Sequence, residues 1–91
     1  MGSGQKFLRD VVSEIIRARS KFPTNKHLLA AFAEESGELI KACLDFEQKG
    51  GSEADIYKEA VQACAMAIRL VGEGSEELVF QGIKESLTEL D

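Results

Sequence analysis

The sequence predicts an all-α fold of four helices, and three observations carry that expectation. Apolar residues recur at the 3.6-residue period in four successive segments, no stretch sustains the two-residue alternation of a strand, and Gly, Pro and Ser punctuate the segment boundaries. With 91 residues the chain has room for one domain, close to the size at which a single core barely suffices. Completion by a second copy, as a homodimer or a dimer of dimers, is therefore expected.

The first helix reads from Gln5 to Ser20, with Phe7, Leu8, Val11, Val12, Ile15 and Ile16 on one face and Arg9, Asp10, Glu14 and Arg17 outward. Pro23, the only proline, disfavours the α region at Phe22 and ends it. Thr24 or Asn25 can cap a second helix from about Lys26 to Lys49, which carries Gly37 in its interior. That glycine costs about 1 kcal/mol against alanine, which close approach of another backbone or of a ligand would justify.

Gly50-Gly51-Ser52 breaks the pattern, and Ser52 with Asp55 makes a near capping box for a third helix, about Glu53 to Val71. This helix is apolar on two faces: Ile56, Ala63, Met66 and Leu70 form one stripe, and Val61, Ala65 and Ile68 lie opposite. A helix wet on one side would not look like this, so it should be sandwiched between the second helix and either a further helix or a second subunit. Gly72-Glu73-Gly74-Ser75 stops it. Ser75 can cap a fourth helix, Glu76 to Leu90, with a stripe of Val79, Phe80, Ile83, Leu87 and Leu90.

Composition bounds the function classes. No apolar run approaches the roughly 20 residues that span a bilayer, so no membrane role is expected. The net charge of −5 argues against a nucleic-acid polymer as partner, which calls for a basic face. Met1-Gly2-Ser3-Gly4 reads as a flexible start or an expression scar, without the basic and apolar regions of a secretory signal, and a cytoplasmic location follows. Cys43 and Cys64 lie in apolar helical segments and read as reduced core residues.

The chemistry-bearing anomaly is a carboxylate where an apolar residue belongs. At about 100° per residue, Leu28, Ala31, Leu39, Ala42 and Phe46 gather on one stripe, with Glu35 in its middle and Glu38 at its edge. The third helix repeats the anomaly, with Glu59 central in its stripe and Gln62 one turn along. Packed face to face, the two helices would bring Glu35, Glu38 and Glu59 together with Gln62 beside them. An unpartnered carboxylate in an apolar seam costs several kcal/mol, and three would repel one another unless a cation held them. Oxygen donors alone favour Mg²⁺ or Mn²⁺ over zinc. Glu34 points toward the polar side and reads as a solvated surface acid.

The pattern Glu34-Glu35-x-x-Glu38 followed by Glu59-x-x-Gln62 resembles that of the MazG-like, all-α nucleoside triphosphate pyrophosphohydrolases, whose signature is E-E-x-x-E and then E-x-x-D. The likeness runs from about Lys21 to Leu70, with supporting helices at each end. It implies a four-helix MazG-like bundle completed by dimerisation and Mg²⁺ held by Glu35, Glu38 and Glu59, with Gln62 where the family has aspartate. An amide can coordinate through its oxygen or orient a metal-bound water, but it brings no charge. Three outcomes follow from that departure: an active variant, a weaker enzyme, or a nucleotide-binding relative without turnover.

The implied reaction is hydrolysis between the α and β phosphates, giving a nucleoside monophosphate and pyrophosphate, with a role in clearing non-standard or surplus nucleotides. Glu38 or Glu35 would take the proton of the attacking water. Lys21, Lys26 and Arg69 are candidate cations for the polyphosphate, against the plainer reading of each as a solubilising charge. Phe22 and Phe32 could stack on a base. The competing class is a helical interaction module whose inward acids meet Lys or Arg of a partner. A di-iron carboxylate bundle would need Glu-x-x-His pairs, and the only histidine, His27, is far from both motifs.

Overall fold

The structure is a computed structural model that describes residues 3–23 and 28–72. Three α-helices make up this part: α1 (Ser3–Lys21), α2 (Leu28–Lys49) and α3 (Glu53–Gly72). The all-α expectation holds for them, with boundaries within two residues of those read from the sequence. The proposed caps Thr24 and Asn25, the cation Lys26, His27 and the fourth helix at Glu76 to Leu90 lie outside the described residues.

The α2–α3 junction is built by its glycines. Gly50 ends α2 with φ of 71°, the left-handed conformation that a Cβ penalises, and the Gly51 amide donates to the Asp45 carbonyl at 3.0 Å. A Cβ on Gly51 would lie 3.1 Å from the Asp45 carbonyl carbon and the Phe46 nitrogen, so this close approach also favours glycine. Ser52 Oγ then accepts from the Asp55 amide at 3.1 Å and caps α3, as the Ser-x-x-Asp spacing predicts. The result is a tight reversal that lays α2 back along α3.

Helix α3 is central, with α2 packed on one side and α1 on the other. Its second apolar face, for which the sequence left a further helix or a second subunit open, is covered by α1 of the same chain. Val61 and Ala65 meet Val11 and Ile15 in the buried core, with Phe7, Tyr57 and Ile68 packed around them. Ala65 is 1% exposed, and its small side chain permits the close approach of α1. A polar clasp at one end fixes the register: Tyr57 donates to Asp10 at 2.5 Å, and Lys6 pairs with Asp10 at 2.8 Å. Lys6 and the Tyr57 hydroxyl hold the Asp10 carboxyl below the usual range, and Asp10 holds the Lys6 ammonium above its own. The Phe7 and Tyr57 rings meet edge to face, with centroids 5.5 Å apart.

Several sequence expectations are corrected here. Ile16, placed on the apolar face of α1, is exposed, as is Phe46 of the α2 stripe. Cys64 is exposed and Cys43 half-buried, so Cys64 is not a core residue; both are free thiols. Among the described residues, no helix is long and apolar enough to cross a membrane.

The α1–α3 seam predicts an asymmetry between neighbours. Ile15→Ala should destabilise the protein by about 2–5 kcal/mol, whereas Ile16→Ala should stay within about 0.5 kcal/mol. Chemical denaturation of the two variants measures the difference, and equal losses would contradict this packing.

Candidate functional site

Because α1 and α2 pack on two sides of α3, a groove remains between them with α3 as its floor. It encloses a cavity of about 360 Å³. Leu28 and Ala31 of α2, Ala18 of α1, and Ala65 and Met66 of α3 supply apolar walls, while Glu34, Glu35 and Gln62 supply a polar end. The helical periods dictate this division. Glu35 lies four residues after Ala31 on the face that α2 turns to α3, and Gln62 lies four before Met66 on the answering face.

The junction of that polar end is the Gln62 side chain. With its amide nitrogen turned toward the carboxylates, the orientation that matches donors to acceptors, Gln62 donates to Glu35 Oε2 at 3.1 Å and to Glu59 Oε2 at 3.2 Å. One NH₂ group thus spans two acids from different helices. Glu35, Glu59 and Gln62 are all half-buried. Burial first, and then the carboxylates of Glu59, Glu34, Glu38 and Glu14, raise the Glu35 pKa above its ordinary 4.5. A single neutral amide leaves this negative field largely uncompensated.

Glu38 stands apart. It is exposed and lines a smaller neighbouring cavity of about 150 Å³ together with Lys41, Asp45, Asp55 and Glu59. Glu59 thus lines the smaller cavity with Glu38, and it is joined to Glu35 of the larger one through the Gln62 amide. Among the described residues, no group of three or more His, Cys, Asp or Glu side chains is drawn together as a ready cage for an ion. The oxygen donors at the junction are Glu35, Glu59 and, on rotation of its amide, the Gln62 carbonyl. That set fits a hard divalent cation whose remaining positions are filled by water or phosphate oxygens.

The cations are distributed unevenly. Arg69 is buried, 5% exposed, and its guanidinium donates to the Phe22 carbonyl at 3.1 Å while lining the large cavity. The plainer reading of Arg69 as a solubilising surface charge fails, because its side chain ties the end of α3 to the end of α1. Lys21 is exposed, with its ammonium over the Phe22 ring at 5.7 Å. Phe22 also lines the large cavity, and Phe32 is half-buried on α2.

Sequence reasoning missed one pair. Arg17 grips Glu14 with a two-pronged contact of 2.9 and 2.6 Å, and both residues line the cavity from α1. The sequence puts both on the outward face, and Arg17 is exposed there while Glu14 is half-buried. Their position next to Ala18, a small residue on the packed side, was the available signal. Comparison of the chain with family models, with curated proteins and with solved structures finds no match.

The raised Glu35 pKa makes a signed prediction. The unfolded chain releases the Glu35 proton at the ordinary carboxylate value and the folded chain holds it to higher pH, so stability falls as pH rises through that interval. Glu35→Gln should then raise the melting temperature of the metal-free protein at pH 7, and the gain should vanish below about pH 4. A loss of stability at pH 7 would contradict the uncompensated field.

Proposed function

We propose that the chain is a divalent-cation-dependent nucleoside triphosphate pyrophosphohydrolase of the MazG-like class, working in the cytoplasm as a homodimer or a dimer of dimers. The observation that carries this reading is the pair of Glu35 and Glu59 oxygens set 3.1 and 3.2 Å from one side-chain nitrogen. Two half-buried acids held this close invite a cation. The Gln62 amide, with its partial positive charge, occupies the position a cation would take.

When bound, Mg²⁺ or Mn²⁺ would supply charge neutralisation of the phosphates and a more acidic water. Glu35, Glu59 and the Gln62 oxygen would hold it, with Glu38 available from the adjoining cavity. The remaining work falls to the chain itself. The apolar walls of the large cavity exclude water around the nucleoside, and Phe22 offers a ring for the base. Arg17 and Arg69 place positive charge along the same walls, with Lys21 at the end of α1 as a further candidate and Lys26, outside the described residues, as another. Whichever of Glu35 and Glu38 is less engaged accepts the proton of the attacking water as it adds to the α phosphorus. The bond to the β-phosphate oxygen then breaks, and pyrophosphate leaves.

A second reading has a specific observation behind it. An amide that already donates to both acids can act as a structural clasp, which suits a nucleotide-binding or protein-interaction module without turnover. Incubation of the full chain with Mg²⁺ and a panel of canonical and modified nucleoside triphosphates separates the two. The enzyme reading predicts monophosphate and pyrophosphate from at least one substrate. Orthophosphate alone, or binding without release, would overturn it. Gln62→Asp should tighten Mg²⁺ binding about tenfold or more by adding a charge to the donor set; no change would remove Gln62 from the site.

A further inference from the structure

The Glu14–Arg17 fork on α1 is placed where an ordinary surface ion pair has no reason to be. The two residues lie about one turn apart, and the guanidinium meets the carboxylate through both prongs, at 2.9 and 2.6 Å. Their exposure is unequal: the Glu14 side chain is 18% exposed and the Arg17 side chain 54%. The acid is anchored in the cavity wall, and the arginine keeps room to turn. A pair of this spacing adds only a few tenths of a kcal/mol to a helix. Stability alone therefore does not account for a fork on the wall of the large cavity.

Charge along that wall gives the pair a task. Glu14, Glu34 and Glu35 all line the cavity, and Glu14 is near enough to Glu35 to join the repulsion there. Of the arginines among the described lining residues, Arg69 is buried and holds the Phe22 carbonyl, so it stays with the fold. Arg17 is the one whose partner a ligand can replace. Its planar fork accepts two phosphate oxygens in the geometry it offers a carboxylate. Glu14 competes from about one turn away on the same helix, at a high effective concentration. A single phosphate must beat that competitor outright. A chain of phosphates can be held at one group and displace Glu14 with the next.

We propose that Glu14 is a specificity-determining residue, an internal competitor for the Arg17 guanidinium that a polyphosphate displaces and a single phosphate does not. On binding, Arg17 turns from Glu14 to the non-bridging oxygens of the phosphate chain, and when the chain leaves it returns. No covalent bond is made or broken in the exchange. The site therefore retains a nucleoside triphosphate and lets a nucleoside monophosphate go. The proposal rests on the reading of the large cavity as a nucleotide site, and it is independent of turnover.

Titration calorimetry of the full chain in Mg²⁺, with inorganic tripolyphosphate and with orthophosphate, tests it without a base. The wild type should bind tripolyphosphate about 100-fold more tightly than orthophosphate. Arg17→Gln should weaken tripolyphosphate about 30-fold and Arg17→Lys less, while Lys49→Gln, the same charge loss at the far end of α2, changes little. Glu14→Gln should tighten orthophosphate about tenfold and tripolyphosphate less, narrowing the ratio. Circular dichroism on each variant confirms retained helix. The gain from Glu14→Gln should vanish when Arg17→Gln is already present, because the acid acts through the arginine. An equal gain in both backgrounds would mean that Glu14 merely repels anions, and would overturn the proposal. So would an unchanged ratio in Glu14→Gln, or tripolyphosphate binding indifferent to Arg17→Gln; either leaves the nucleotide reading standing. A wild type that binds no tripolyphosphate would overturn both.

Discussion

Two carboxylates from neighbouring helices share one amide at the polar end of the groove, and the rest of the described structure is arranged around keeping them there. Glu35 comes from α2 and Glu59 from α3, each at a position where the helical period would otherwise put an apolar side chain. Their closeness has a cost, visible in the raised proton affinity of Glu35. Folding tolerates it because the tight Gly50-Gly51 reversal and the packing of α3 against α1 contribute stability elsewhere.

The division of labour among the helices follows from α3 having two apolar faces. Its Val61 and Ala65 face builds the core with α1, which is free of charge at its centre. Its Glu59 and Gln62 face meets α2, where the polar chemistry collects. Since α1 and α2 flank α3, the groove between them opens beside the carboxylates, walled by apolar residues and edged by Arg17 and Arg69. Core and site thus share one helix, with Ala65 common to the core and to the cavity wall, while Val61 faces only the core and Gln62 only the site.

Much of this was legible in the sequence. The glycine pair and Ser52 announced the α2–α3 turn, and the double stripe of α3 announced that it would be sandwiched. Periodicity gives the angle of a side chain around its own helix but not the identity of the neighbour that fills that angle. For that reason α1 could not be distinguished from a second subunit as the partner of Val61 and Ala65. The same gap let Arg69 pass as a surface cation, when it is buried beside the groove, and hid that Glu14 and the exposed Arg17 border that groove. Cys64 shows the reverse error: an apolar neighbourhood in sequence does not bury a residue whose angle falls between the two packed faces. Glu35 and Glu59 were legible because acids in an apolar stripe need a physical reason.

Manganese binding followed by electron paramagnetic resonance tests the central claim most directly, because it reads the cation at the carboxylates without requiring turnover. Wild-type protein should hold Mn²⁺ in a site of which both Glu35 and Glu59 are part, so that replacing either with glutamine abolishes the bound signal while replacing the exposed Glu47 leaves it intact. Binding that survives the loss of either half-buried acid, or no binding in the wild type, would contradict the account.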